Sequence, residues 1–317
     1  MISHPDRTGL IALLGPQSQT ASVAMAVNAL GVDGSIGAIT AGWRDAEGDI
    51  GELTEHLGVE VTDLAVYERV EKIFALDVSL FRAHRKRQDI LKQLQRLYRV
   101  RLRSGADACY RLMKRSEDAE LVRLQLRGAI SQLRALDRFH SRQIAKVHSE
   151  FEKEVALAER PAVREHRSEI AEQLSSLGAV LIAGGHVAVL ASRLRLLGMR
   201  ELLAGHALIG WSAGAMIMTD QLVLFHDKAP QGRREPELLD VGLGRASRIV
   251  ALPAATQRLD LGQDDHLALM ARRFAPASCL ALDESDWIAW SHDRLLAARG
   301  VRRIKRNGVL AGVNAGA

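Results

Sequence analysis

The sequence predicts an α/β protein: a parallel sheet flanked by helices, interrupted by a long helical hairpin. Three observations predict it. Short apolar runs alternate with helical patterns over the first 70 or so residues. The same alternation resumes after Pro161. Between them, from about residue 71 to 158, Gly and Pro nearly vanish and helix formers dominate. Residues 1–72 therefore read as the first part of the α/β domain, 73–160 as a helical insertion and 161–317 as the rest of the domain.

The elements follow in order. "GLIALLG" (9–15) reads as a buried strand. "SQTASVAMAVNALG" (18–31) has apolar spacing near 3.6, with Gly31 as its stop. "SIGAITAGW" (35–43) is a second strand, "DIGELTEHLG" (49–58) a helix and "VEVTDLAVY" (59–67) a third strand. In the insertion, Phe74, Val78, Phe81, Ile90, Leu91, Leu94 and Leu97 recur at helical spacing. A chain that leaves a sheet must return to it, so two antiparallel arms are the simplest arrangement. Arms of about 40 residues would span about 60 Å. "RSEDAE" lies near the midpoint and offers Ser116 as an N-cap. "RSGAD" (103–107) is a rival break that would give three helices. Past Pro161 come a helix, the strand "AVLIAGG" (179–185), the helix "VAVLASRLRLLG" and the strand "ALIGW" (207–211). Further strand-like runs are "SRIVAL" (247–252), "SCLALDE" (278–284) and "DWIAW" (286–290).

Composition bounds the function. The chain has 317 residues, 47% of them hydrophobic, enough for a large core. Cys109 and Cys279 stand far apart and form no metal or redox spacing, which fits a reducing compartment. No apolar run approaches the roughly 18 residues that a membrane span needs, so a soluble cytoplasmic protein is expected. The net charge of +5 is uneven. Residues 72–160 hold 21 Lys and Arg against 11 Asp and Glu, a net of +10 that leaves the remainder at −5.

The chemistry centres on "LIGWSAGAMIM" (208–218). Gly210-Trp211-Ser212-Ala213-Gly214 matches G-x-S-x-G, the nucleophile elbow, in which a strand turns sharply through a serine into a helix. Small neighbours are needed because bulky ones would clash at such a turn. The Ala213 N–H can then face a developing oxyanion. A tight packing turn is the competing explanation. "IAGGHV" (182–187) also ends a strand. Gly184 and Gly185 there would let backbone approach a ligand closely and supply a second oxyanion donor, or simply form an ordinary strand–helix turn.

Together, "AGGHVAVLASRLRLLGM", "LIGWSAGAMIM" and "CLALDESDWIAW" resemble the dipeptidase E and cyanophycinase family of serine peptidases. The resemblance covers roughly residues 161–300 and, more loosely, the first 70. It implies a class I glutamine amidotransferase-like fold, a flavodoxin-like three-layer arrangement, with Ser in place of Cys. It also implies Ser212 as nucleophile, Gly185 and Ala213 as oxyanion-hole donors, and Asp227, fifteen residues after the serine, as an acidic partner. Glu284 and Trp287 fall on the family's late strand and, with Gly184 and Trp211, are expected to line the pocket or support it. The implied substrates are short peptides, with aspartyl residues among the candidates, and no metal or organic cofactor is implied. Two positions depart from the pattern. His186 stands where Asn is usual. Pro253 is followed by Ala254 where the family carries histidine. A serine hydroxyl needs a base to take its proton, and His186 and His226 are the candidates to replace the missing imidazole.

Two functions are therefore expected. One is a serine peptidase acting through Ser212. The other is an inactive descendant whose insertion mediates self-association, partner binding or nucleic-acid binding. The insertion has a dense basic stretch: Arg82, Arg85, Lys86, Arg87, Lys92, Arg96, Arg99, Arg101 and Arg103. Such a stretch can bind phosphates or form the solvated face of a hairpin. No nucleic-acid motif accompanies it, and aromatic content is only 4%, so the solvated face is favoured. A hairpin so long cannot bury both its sides against one domain, which points to a second copy or another protein.

Overall fold

Strand β1 (Leu10–Leu14) leads into α1 (Val23–Leu30), β2 (Ser35–Ile39), α2 (Gly51–Leu57), β3 (Val61–Asp63) and α3 (Val66–Leu76). The chain then leaves the sheet along α4 (Val78–Met113) and comes back along α5 (Ala119–Val155). It rejoins through α6 (Pro161–Leu174), β4 (Leu177–Ile182), α7 (Val187–Leu196), α8 (Met199–Leu202), β5 (Ala207–Trp211) and α9 (Ala213–Met218). The hairpin β6 (Gln221–His226) and β7 (Arg234–Val241) follows, then β8 (Ile249–Pro253), α10 (Ala255–Arg258), α11 (Asp264–Phe274) and β9 (Ser278–Leu282). Strands β10 (Trp287–Ser291), β11 (Arg294–Arg299), β12 (Arg302–Ile304) and β13 (Leu310–Gly312) complete it. This computed structural model describes residues 7, 9–19, 21–228 and 234–314.

The main sheet has seven strands in the order β11-β10-β1-β5-β4-β2-β3. Its five strands from β1 to β3 run parallel, and β10 and β11 add an antiparallel edge. The strands read as unbroken apolar runs because both faces are covered. Leu13, Val180, Ile182 and Leu208 point to the side packed by α3, α6, α7 and α9. Leu14, Ala179, Leu181 and Ile209 point to the side packed by α1 and α2. The expected parallel sheet between helical layers is the architecture found. A second sheet, β13-β12-β9-β8, packs on α11 and on the β6–β7 hairpin through Val223, Phe225, Leu252, Leu267 and Cys279.

Several element ends differ from the sequence reading. The second strand stops at Ile39, because residues 41–46 form a tight 3-10 turn. The third stops at Asp63, because Ala65 (φ 48°) turns the chain into α3. Gly31 (φ 61°) and Gly58 (φ 65°) do stop their helices in the left-handed conformation.

The insertion is two helices, of 36 and 37 residues and about 54 Å each. No break occurs at residues 103–107. A Cβ on Gly105 would come 2.7 Å from Leu133 Cδ2, so the glycine brings the arms together. The cap of α5 is Asp118 and not Ser116. The Asp118 carboxylate accepts from the N–H groups of Glu120 and Leu121, and Ser116 stands two residues too early to reach them.

One face of the hairpin is committed to the body of the protein. Asp137 on α5 receives Arg273 of α11 at 2.7 Å to each carboxylate oxygen, and the Tyr98 hydroxyl donates to it at 2.8 Å. Gln95 and Arg99 of α4 donate to Glu237 of β7 at 3.0 and 2.6 Å. Tyr98 stacks on His140 at 4.0 Å. Burial alone would lower the pKa of Arg273, but the Tyr98 and Asp137 oxygens outweigh it and raise it, so the guanidinium stays charged. Away from these contacts, Leu97 and Val100 of α4 and Leu121 and Leu124 of α5 are more than half exposed. Among the described residues, no helix is long and apolar enough to cross a membrane.

Candidate active site

The C-terminal edge of the parallel strands is where an open α/β sheet gathers its chemistry. Here β1, β5, β4 and β2 end side by side. Ser212 follows β5 directly, with φ 50° and ψ −115°, a conformation that a non-glycine residue rarely adopts and that costs on the order of 1–3 kcal/mol. The turn is held from both sides. The Ser212 N–H donates to Leu14 O of β1 at 3.1 Å, and its carbonyl accepts from Met216 of α9 at 3.2 Å. The small neighbours are required sterically. A Cβ on Gly214 would stand 1.9 Å from Ile182 O, and one on Gly210 would stand 2.7 Å from Gly214 backbone. The side chain of Ser212 is half-buried, between buried Trp211 and buried Ala213.

The glycine turn after β4 lies against it. A Cβ on Gly184 would come 2.9 Å from Ser212 Cβ and 3.6 Å from its Oγ. Gly185 takes φ 100° and packs on Gly42, whose carbonyl accepts the His186 N–H at 2.8 Å. The Ala213 N–H, first of its helix, has no intrahelical acceptor. The sheet thus brings Ser212, Gly184, Gly185, Trp211 and Ala213 to one edge.

His186 is exposed and caps α7, its Nδ1 accepting from the Val189 N–H at 3.3 Å. Desolvation, then the positive charge of Arg44, lowers its pKa below the ordinary histidine value. His226 is exposed at the end of β6. Among the described residues, no imidazole makes a hydrogen bond to the Ser212 hydroxyl. Glu284 sits at the same sheet edge and binds the Ser18 hydroxyl at 3.1 Å and the Gln19 N–H at 2.7 Å. Trp287 is buried against Trp211 in one apolar cluster.

Asp227 lies buried at the end of β6. Its N–H donates to Arg258 O at 2.7 Å, and its Oδ2 accepts from the Asp260 N–H at 3.0 Å. Its Oδ1 lies 3.0 Å from His266 Nε2 on α11, and both side chains are almost fully enclosed. His266 Nδ1 in turn meets the Tyr110 hydroxyl of α4 at 2.8 Å. Sequence reasoning missed His266. "DDHLALM" reads as the first turn of an amphipathic helix, and nothing in its spacing announces a carboxylate partner 39 residues earlier. Ala254 closes β8 in the left-handed region (φ 56°), buried, its N–H on Leu282 O at 2.8 Å. Next to it Thr256 is fastened to Asp283 by its N–H and its hydroxyl, at 2.8 and 2.6 Å.

No curated protein matches this sequence. One solved structure similar to it is that of a peptidase from an acI-B1 Actinobacterium, at 14% identity over 98% of this chain and 95% of that one, with a TM-score of 0.47. Residues 137–240 match peptidase family S51, a stretch that holds the Gly184–Gly185 turn, Ser212 and Asp227 and stops short of Ala254, Glu284 and Trp287. The likeness to the dipeptidase E and cyanophycinase peptidases, read first from three sequence motifs, is thereby borne out over this third of the chain.

Proposed function

We propose that the protein is a cytoplasmic serine hydrolase that cleaves amide bonds of small peptides through an acyl-enzyme on Ser212. The observation that carries this reading is the backbone at Ser212. A φ of 50° is held there by the Ser212 N–H on Leu14 O and by close packing against Gly184, at the edge where the parallel strands end. Ser212 Oγ attacks the carbonyl carbon, and the N–H groups of Gly185 and Ala213 receive the oxyanion. The hydroxyl proton passes to an imidazole and on to the leaving amine, and water then releases the acyl group. His186 is the first candidate for that base. It stands two residues from Gly184, and with Nδ1 engaged on Val189 its Nε2 is left for the hydroxyl. His226, one residue before Asp227, is the second. Trp211, Gly184, Glu284 and Trp287 are the residues assigned to the walls of the substrate site in this reading, and Glu284 holds Ser18 and Gln19 by hydrogen bonds.

Hydrolysis of a panel of dipeptides, including N-terminal aspartyl ones, tests the proposal. Turnover by the wild type that Ser212→Ala abolishes supports it. Turnover that survives Ser212→Ala, or none with any peptide, rejects it.

A second reading, an inactive descendant acting as a scaffold, draws on one observation, that Asp227 is engaged by His266, and on the resemblance, which implies a histidine where Ala254 stands. In that reading the exposed apolar side chains of the hairpin, Leu97, Val100, Leu121 and Leu124, carry self-association. Gel filtration of wild type against Leu97→Glu/Leu121→Glu decides it. A dimer that the double variant dissociates favours the scaffold, and a wild-type monomer dismisses it.

A further inference from the structure

The arginines of α5 stand apart from those of α4. Arg123, Arg127, Arg134 and Arg138 follow one another at intervals of four, seven and four residues. At about 100° per residue they fall on one face of the helix, over about 22 Å of its length. That face meets Arg272 of α11 and Arg306, in the turn between β12 and β13. Arg134 Nε donates to Arg272 O at 3.1 Å, and Arg272 Nε donates to Arg306 O at 2.8 Å. Backbone carbonyls thus fix two of the guanidinium groups without neutralising them. Among the described residues, none of these six arginines forms an ion pair. On α4, by contrast, Lys92, Arg99 and Arg111 each pair with a carboxylate.

The six cations are accessible. Arg123, Arg127, Arg138 and Arg306 are exposed, and Arg134 and Arg272 are half-buried. They line two cavities that share Arg134. One, of about 760 Å³, is bordered by Arg123, Arg127, Arg134, Arg272 and Arg306 against a single acid, Glu120. The other, of about 460 Å³, adds Arg138 and Arg248. Its Asp137 is taken by Arg273, and its Asp220 accepts the Arg248 N–H at 2.9 Å. The groove is therefore positive along its whole length.

We propose that this groove binds single-stranded nucleic acid through its phosphodiester backbone. Negative charge repeated along a line complements a stripe of uncompensated arginines, and guanidinium groups match phosphate oxygens bidentately. A duplex is too thick to enter cavities of this size, whereas a single strand can follow them. An acidic protein would need apolar anchors at the centre of its interface, and the larger cavity offers only buried Leu126 and Ile130. No aromatic side chain lines that cavity, so binding is expected to be indifferent to base and to rest on counterion release. The proposal is independent of the chemistry at Ser212.

The test is fluorescence anisotropy of a labelled oligothymidylate of about 20 nucleotides, titrated with the full chain between about 50 and 200 mM salt. With about five phosphates engaged, log K should fall against log salt with a slope of about −3.5. Arg127→Gln/Arg138→Gln is expected to weaken binding at least about tenfold at low salt and to reduce the slope by about 1.4. Arg82→Gln/Arg85→Gln, exposed on α4, should bind as the wild type does. No binding at low salt, an equal loss in the α4 variant, or an unchanged slope in the α5 variant would overturn the proposal. So would stronger competition by duplex DNA or by polyglutamate, which would assign the face to a duplex or to an acidic protein. Should the α5 variant not fold, the wild-type slope decides, and one shallower than about −2 overturns the proposal.

Discussion

The Asp227 carboxylate stands 3.0 Å from the His266 imidazole, with both side chains shut away from solvent. The contact ties the end of β6 to α11 and, through Tyr110, to the helical hairpin. Asp227 also accepts the Asp260 N–H. It therefore works as an anchor of the fold, whatever else it does. Asp227→Ala should destabilise by about 1–3 kcal/mol, the effect of leaving buried polar partners unsatisfied. Urea unfolding measures it. A loss below about 1 kcal/mol would mean that the contact is incidental.

Gly184 tests the floor of the site. Its alanine variant would push a methyl to 2.9 Å from Ser212 Cβ. Relief of that clash should cost about 1–3 kcal/mol and displace the hydroxyl. The expected outcome is a folded protein, by circular dichroism, whose Ser212-dependent turnover falls at least tenfold.

Ala254 offers the converse. Its left-handed backbone is one that histidine tolerates better than most residues. Under the proposed function, Ala254→His places an imidazole where the resembling family carries one. The rate at Ser212 should then rise by about 10²-fold or more, the usual contribution of general-base catalysis. Stopped peptide assays at pH 7 and 8 compare the two proteins.

The hairpin junction should be acid-labile. His84 is buried, and desolvation, then the charges of Arg87 and Arg193, lowers its pKa to about 3. His140 and His148, also on the hairpin, are lowered chiefly by burial. The folded state therefore holds these rings neutral, while the unfolded chain protonates them near pH 6.5. Stability is fully present above that pH and falls as pH drops through the window from about 6.5 to 3. The slope is up to about 1.4 kcal/mol per pH unit for His84 alone. Urea midpoints from pH 7 to 4 measure it, and His84→Gln should flatten the slope.

How much of this was legible in the sequence follows from how local each signal is. The strands of the main sheet declared themselves because both faces are buried, so Leu13 and Leu14 are equally apolar. The elbow declared itself because its steric demand falls on immediate neighbours, Gly210 and Gly214. The hairpin arms were visible from periodicity, but their docking was not. Asp137, Tyr98 and Arg273 form one buried cluster from three helices, and each alone reads as surface. The cap of α5 was misplaced by two residues because Ser116 and Asp118 carry the same local chemistry. His266 was invisible because its meaning lies entirely in a contact made by tertiary folding.

The central claim is that the hydroxyl of Ser212 is a reactive nucleophile, and covalent capture tests it most directly. The folded protein is treated with a fluorophosphonate, digested, and mapped by mass spectrometry beside Ser212→Ala. The account predicts a phosphonyl adduct on the peptide containing Ser212 and none in the variant. A wild-type peptide left unmodified, under conditions that fully label a control serine hydrolase, would contradict it.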